Sequence, residues 1–350
     1  MLLSGTAWAL PEDIEGPEGV LEDPGGWSVA PPDAAFLERA EAAARYSRKR
    51  GGLALLIVKE DAIAFEEAEN GFDLRRAHHL WSGTKTFTCA LAAAAEADGR
   101  FVLTSEIGGV LPLDARRASL TVRDLLSLTS GLSESPLLTT DFFRPKPQIA
   151  DKEAWTVREI TAVHAPGARF RYAASPFAMF SAFARVALAE DPIDYLRRRI
   201  LDPIGYQSGG WVKDAAGHGW FSFGAYTSAR SWARFGMLLR DDGFFRGHQV
   251  LPGGLLQRCF QGTAAMPAYG LGIWLNREAT QLWLPPALQG RFASKGPILL
   301  PGGPEDLMAA AGYNDNRLYI VPSEGLVIVR FGKGDPGFED DKLLGFLLPR

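Results

Sequence analysis

Leu80-Trp-Ser-Gly-Thr-Lys-Thr-Phe-Thr-Cys-Ala-Leu-Ala-Ala-Ala-Ala-Glu-Ala97 is the stretch on which the reading of this sequence turns. Thr84 to Ala97 is rich in helix formers and apolar almost all round, which predicts a helix buried in a large core. Ser82 and Lys85 stand at its start, three residues apart, a spacing that places both side chains on one helical face. No other Ser-x-x-Lys occurs in the chain. A serine at a helix N-terminus has free backbone N–H groups beside it, and these can stabilise an oxyanion. A serine hydroxyl needs a base within hydrogen-bond reach to act as a nucleophile at neutral pH. Lysine, with an ordinary pKa of about 10.4, becomes that base only when burial lowers it. The apolar helix after Ser82 supplies the burial.

Working outward, Leu53–Lys59 reads as a strand, Glu60-Asp61 as a tight connection, and Ala62–Glu67 as a second, alternating strand. Before them, Ala34–Arg48 has helical spacing, with Phe36, Ala40, Ala43 and Ala44 on one face. Strand patterns return only late, at Tyr269–Asn276, Gln281–Leu284, Arg317–Val321 and Leu326–Phe331, before a last helix ending near Leu348. The middle offers helices at Thr121–Thr129, Phe177–Ala189, Pro192–Ile200 and Ser228–Arg240. One sheet assembled from both ends of the chain, with a helical insertion, is an α+β organisation. The expected division is a loosely ordered arm over 1–32, a discontinuous sheet domain over 33–99 and 256–350, and a mainly helical domain over 100–255. The long segment Ser133–Trp155 has few regular signals and reads as a functional loop.

Composition narrows the class. The 350 residues, with 47% hydrophobic and 22% charged side chains, describe an ordinary globular protein. A net charge of −4 gives no basic field for nucleic acid, and no apolar run is long enough to span a bilayer. Two cysteines, Cys89 and Cys259, are too few for a disulfide framework or a four-ligand zinc site, and Cys89 reads as a small core residue. The five histidines show no metal-ligand spacing, and His78-His79 would point to opposite faces if extended. No metal or organic cofactor is implied. Met1–Ala9 ends in an A-x-A-like pattern without a basic region, so the compartment stays open between cytoplasm and periplasm or secretion.

Five segments in order carry a resemblance. They are His79–Phe87, Leu120-Thr-Val-Arg-Asp-Leu-Leu-Ser-Leu-Thr-Ser-Gly-Leu132, Pro166-Gly-Ala-Arg-Phe-Arg-Tyr172, Ser228–Gly243 and Tyr269-Gly-Leu-Gly-Ile-Trp274. Together the sequence resembles the class C β-lactamase-like serine hydrolases from about residue 50 to 332. The resemblance implies the β-lactamase/transpeptidase-like fold, an antiparallel sheet flanked by helices with an inserted all-helical domain. It implies that Ser82 is acylated, that Lys85 is its base, and that Tyr172 is a second acid or base whose phenolate the lysine ammonium favours. It also implies an oxyanion hole from the N–H groups of Ser82 and Tyr313, with Gly312 letting its strand approach.

Two departures bear on substrate. Ala174 stands where the family often has asparagine, and Ala310-Ala-Gly312 replaces its Lys-Thr-Gly, removing the cation that binds a β-lactam carboxylate. The stretch Ala310–Pro322 resembles the branch of 6-aminohexanoate-dimer hydrolases and related esterases. The expected function is hydrolysis of small carboxylic esters through an acyl-Ser82 intermediate. Linear amides, weak β-lactamase activity, acyl transfer to an alcohol and a non-catalytic binding role are the alternatives. Ala174, Gly312, Phe142 and Trp155 are expected to line the acyl pocket, with Phe143 beside them. The partner is a small molecule, and the oligomeric state is left open.

Overall fold

The computed structural model describes residues 19–349, apart from 23–24, 31, 142–146 and 280–295. In chain order its strands begin with β1 (Ser28–Val29), β2 (Gly52–Lys59), β3 (Ala62–Ala68) and β4 (His78–His79). The middle of the chain adds β5 (Ser208–Trp211), β6 (Ala225–Thr227), β7 (Phe244–Phe245) and β8 (His248–Gln249). The last are β9 (Trp274–Leu275), β10 (Met308–Gly312), β11 (Asn316–Val321) and β12 (Leu326–Gly332).

Seven of these form one sheet in the order β1-β3-β2-β12-β11-β10-β9. The two ends of the chain meet at its centre, where β2 pairs antiparallel with β12 from Leu326↔Lys59 to Gly332↔Gly52. Apart from Arg330 and the terminal Lys59, both strands are apolar throughout because both faces of the sheet are covered. Helix α1 (Ala34–Lys49), capped by Asp33 accepting from Phe36 N–H at 2.8 Å, packs on one face together with the C-terminal helix Asp340–Leu347. On β12, Arg330 faces α1 by donating to Ser47 Oγ, whereas Val327 faces the opposite way, toward Gly236 of the helix Ala229–Arg240. The Tyr269–Asn276 strand is shorter than its pattern, reduced to β9, and the Gln281–Leu284 reading falls outside the described residues.

The first third of the chain leads into α2 (Phe87–Ala97), whose residues 87–95 are all buried. Alanine at so many positions lets other elements approach it from every side. The middle of the chain adds α3 (Ala115–Ala118), α4 (Val122–Leu126), α5 (Leu137–Thr140), α6 (Lys152–Glu159), α7 (Ser175–Leu188), α8 (Pro192–Leu196) and α9 (Ala229–Arg240). Helix α9 lies in this segment by sequence but packs on β11 and β12. The Ser133–Trp155 segment is less irregular than its pattern suggests. Asp151 caps α6 by accepting from Ala154 N–H at 2.9 Å.

One reading is corrected here. Cys89 is buried as expected, but it is bonded to Cys259, 170 residues away, joining α2 to the short turn Leu256–Phe260. Local sequence carries no information about so distant a pairing. Near the start of the described residues, β1 pairs parallel with β3, and the Arg234 and Arg246 guanidiniums lie over the Trp27 ring.

The approach of β10 to the start of the buried helix is what positions the site. A Cβ placed on Gly312 would lie 2.1 Å from the Leu80 carbonyl oxygen, so only glycine permits this separation. Gly312→Ala is therefore expected to lower the thermal unfolding midpoint, and a variant with an unchanged midpoint would contradict the close approach. Replacing both cysteines by alanine should lower the midpoint by about 5 °C, as expected for opening so long a loop in a protein of this size. Equal midpoints with and without the bridge would show that the disulfide contributes nothing.

Candidate active site

Trp81 begins the site with a backbone φ of +50°, in the left-handed region that non-glycine residues rarely occupy. Such a conformation costs on the order of 1 kcal/mol and persists only where neighbours enforce it. Here the residues Trp81–Thr86 form a 3-10 turn leading into α2. The helix proper thus starts later than Thr84, and Ser82 sits on the tighter turn. Gly83 is wedged against Trp232 of α9, whose ring would lie 2.7 Å from an added Cβ. Thr84 Oγ1 accepts from Ala225 N–H at 3.1 Å, and Thr86 Oγ1 donates to the Gly272 carbonyl at 3.1 Å. Gly83, Thr84 and Thr86 are therefore each tied to a different part of the chain.

Lys85 Nζ donates to Ser82 Oγ at 3.0 Å and also to the Ser222 carbonyl. Its side chain is 4% exposed, with Nζ 4.9 Å from the centre of the Tyr172 ring and 5.4 Å from that of Phe177. Burial pushes its pKa down to about 7, against a smaller opposing pull from the charge of Glu134. Lowered that far, the amine can give up its proton near neutral pH. Tyr172 goes the other way. Burial pushes its phenol up to about 12, only partly offset by its hydrogen bond with Ser82 and by Arg317. The expectation of a favoured phenolate is corrected: desolvation outweighs the neighbouring cation, and the phenol stays protonated.

Tyr172 is held by aromatic contacts that sequence reasoning missed. Its ring stacks on Trp274, with centroids 5.8 Å apart and planes 14° apart, and meets Tyr269 edge-on at 6.1 Å. On the far side, the Trp81 ring meets the half-exposed Tyr313 ring edge-on at 5.4 Å. Buried Asn316 ties this edge together, donating to the His79 carbonyl at 3.2 Å and the Tyr313 carbonyl at 2.8 Å. Neither Asn316 nor Ser222 carries a local sequence signal for its role.

The structure thus brings Ser82, Lys85 and Tyr172 together, with Gly312 and Tyr313 at the neighbouring strand end. Ala174 is buried at the N-cap of α7 and supplies no capping side chain. Trp155 lies half-buried on α6, and no hydrogen bond or ring contact joins it to Ser82, Lys85 or Tyr172 among the described residues. Phe142 and Phe143 lie outside the described residues. His78 and His79 diverge, one to Asn316 Oδ1 at 2.9 Å and the other to the Phe223 carbonyl, and burial holds both neutral. Away from the site, Asp151, Asp214 and His218 cluster within 4.8 Å. Lys152 Nζ lies 3.9 Å from Asp214, so an ammonium already sits beside that carboxylate.

Several solved structures share this architecture. A protein of Bacillus anthracis assigned as a 6-aminohexanoate-dimer hydrolase aligns over 94% of this chain and 88% of its own, with TM-score 0.72 and 18% identity. The hydrolase EstCE1, which has promiscuous acyltransferase activity, aligns over 90% and 98%, with TM-score 0.63 and 13% identity. A penicillin-binding protein of Bacillus halodurans aligns over 89% and 97%, with TM-score 0.63 and 16% identity. At these identities the likeness is one of fold. A sequence comparison with curated proteins finds no match. The β-lactamase family profile matches residues 37–347, nearly the whole chain, and on that ground the chain belongs to the β-lactamase family.

Proposed function

We propose that this protein is a serine hydrolase that cleaves small carboxylic esters through an acyl-Ser82 intermediate. The observation that carries the reading is the buried Lys85 amine, 3.0 Å from Ser82 Oγ. Ser82 Oγ attacks the ester carbonyl carbon while its proton passes to the free Lys85 amine. The oxyanion that forms is held by the backbone N–H groups of Ser82 and Tyr313, each such donor being typically worth about 2.7–4 kcal/mol of barrier. Tyr172, protonated, delivers a proton to the departing alkoxide and is reprotonated from Lys85. Water then attacks the acyl-enzyme carbonyl by the reverse relay, releasing the acid and restoring Ser82.

The substrate class follows from what surrounds this centre. Ala310 is 1% exposed and Ala311 follows it, so this stretch offers no cation to a substrate carboxylate. The nearby Arg317 is committed to Asp340 and to the carbonyls of Gly312 and Asn316. A penicillin or a peptide C-terminus therefore finds no anchor there. Ala174 and Gly312 border the acyl site in this reading, with Trp155 proposed as part of its apolar lining. Linear amides are the second reading, favoured by the fold shared with the 6-aminohexanoate-dimer hydrolase of Bacillus anthracis. Esters come first because an alkoxide leaves without the strong protonation an amine requires.

Hydrolysis of p-nitrophenyl butyrate should fall to background in Ser82→Ala. It should fall at least about 10³-fold in Lys85→Arg, whose guanidinium cannot give up its proton. Tyr172→Phe should lose roughly 10²-fold or more. Equal rates in wild type and Ser82→Ala would overturn the esterase reading. Covalent labelling of Ser82 with no turnover of esters or amides would leave a binding role.

A further inference from the structure

One carboxylate beside the site has no part in this scheme. Glu134 follows the Ser130-Gly-Leu-Ser133 turn and is half-buried, and its Oε2 accepts the Ser175 N–H at 2.9 Å. Ser175 is fully buried and donates its own hydroxyl to the Ser133 carbonyl at 2.7 Å. Two consecutive loop residues therefore hold the first residue of α7 through both its amide and its hydroxyl. Ala174, at the N-cap, has no side-chain oxygen to accept from these amides. A carboxylate suits the start of this 14-residue helix, where unpaired N–H groups and the macrodipole favour negative charge.

The clamped turn contributes two walls of the lysine pocket. Tyr172 lies three residues before Ser175 and Phe177 two after it, and their rings are the two that face Lys85 Nζ. The titratable and charged groups around that amine are Tyr172, with Arg317 acting on it, and Glu134, with Arg171 acting on it. Burial raises the Glu134 carboxyl, and the amides of Ser175 and Ala174, the Ser175 hydroxyl and the charge of Arg171 offset this only in part. The ionised carboxylate in turn opposes the effect of burial on Lys85.

We propose that Glu134 is a positioning residue of the Ser82–Lys85–Tyr172 centre, its carboxylate clamping the first turn of α7 through Ser175 and so setting the Tyr172 and Phe177 rings, with its negative charge, toward the lysine pocket. Its kinetic consequence rests on the acyl-enzyme reading above, but its effect on the lysine does not. Glu134→Gln separates the two roles, since the amide keeps an oxygen for Ser175 N–H and removes the charge. Without that charge Lys85 loses its proton more easily, so the free amine persists to lower pH.

The test is the pH profile of kcat/KM for wild type, Glu134→Gln and Glu134→Ala, with each variant's unfolding midpoint recorded. A parallel titration follows the Lys85 Cε resonance in ¹³C-lysine-labelled protein, assigned by its loss in Lys85→Ala. The acid limb and the lysine titration of Glu134→Gln should both move to lower pH by roughly 0.5–1 unit. Glu134→Ala should move them the same way and also lower kcat about tenfold, as the clamp opens. A Lys85 titration unmoved in Glu134→Gln overturns the proposal, including the case where kcat falls without a shift. If wild type turns over no ester or amide, the hydrolase reading fails, and the lysine titration still decides the role of Glu134.

Discussion

The buried amine of Lys85 is the constraint around which this structure is arranged. An ammonium removed from water is costly, and the site compensates it with few contacts: the Ser82 hydroxyl, the Ser222 carbonyl and two aromatic faces. Its pKa of about 7 in the fold, against the ordinary 10.5, means that the native state binds fewer protons than the unfolded chain between those values. Stability therefore rises with pH across that window, and the penalty is fully present below about 7. The same burial that costs stability makes lysine a usable base near neutrality. The surrounding core of sheet and alanine-rich helix carries the cost.

The walls of the lysine pocket come from distant parts of the chain, and each is fixed by something outside the site. Ser222 comes from the turn Trp220–Gly224, closed by Gly224 N–H donating to the Trp220 carbonyl at 2.7 Å. Tyr172 is backed by Tyr269 and Trp274, and Leu271 N–H donates to the carbonyl of Cys259, which is bonded to Cys89 on α2. A third side is β10, brought against Leu80 by Gly312 and tied down by Asn316. A centre assembled from such distant segments works only if the scaffold is rigid, which is why the motif residues are so fully bonded.

How much of this was legible in the sequence follows from the range of each interaction. The strands β2, β3, β11 and β12 and the helices α1, α7 and α9 are written in local periodicity and come out within a few residues. Ser82 and Lys85 announce themselves by a spacing of three, and Tyr172 by its place in a motif. The disulfide, Ser222, Asn316 and Glu134 act across tens to hundreds of residues and leave no local pattern. For the charge of Tyr172, a sequence shows the nearby lysine but not the burial that raises the phenol. The β9 strand was overestimated because Tyr269, Gly270 and Gly272 form a loop against Cys259 and Lys85 instead of a ladder.

The central claim is that burial, more than any partner, makes Lys85 the base that activates Ser82. Its most direct test is the rate at which a fluorophosphonate modifies Ser82 as a function of pH, with the modified residue located by mass spectrometry. The account predicts that the rate rises with pH through a single ionisation near 7 and that Ser82 carries the label. A rise centred near 10, as for an ordinary exposed lysine, or a label on another residue, would contradict it.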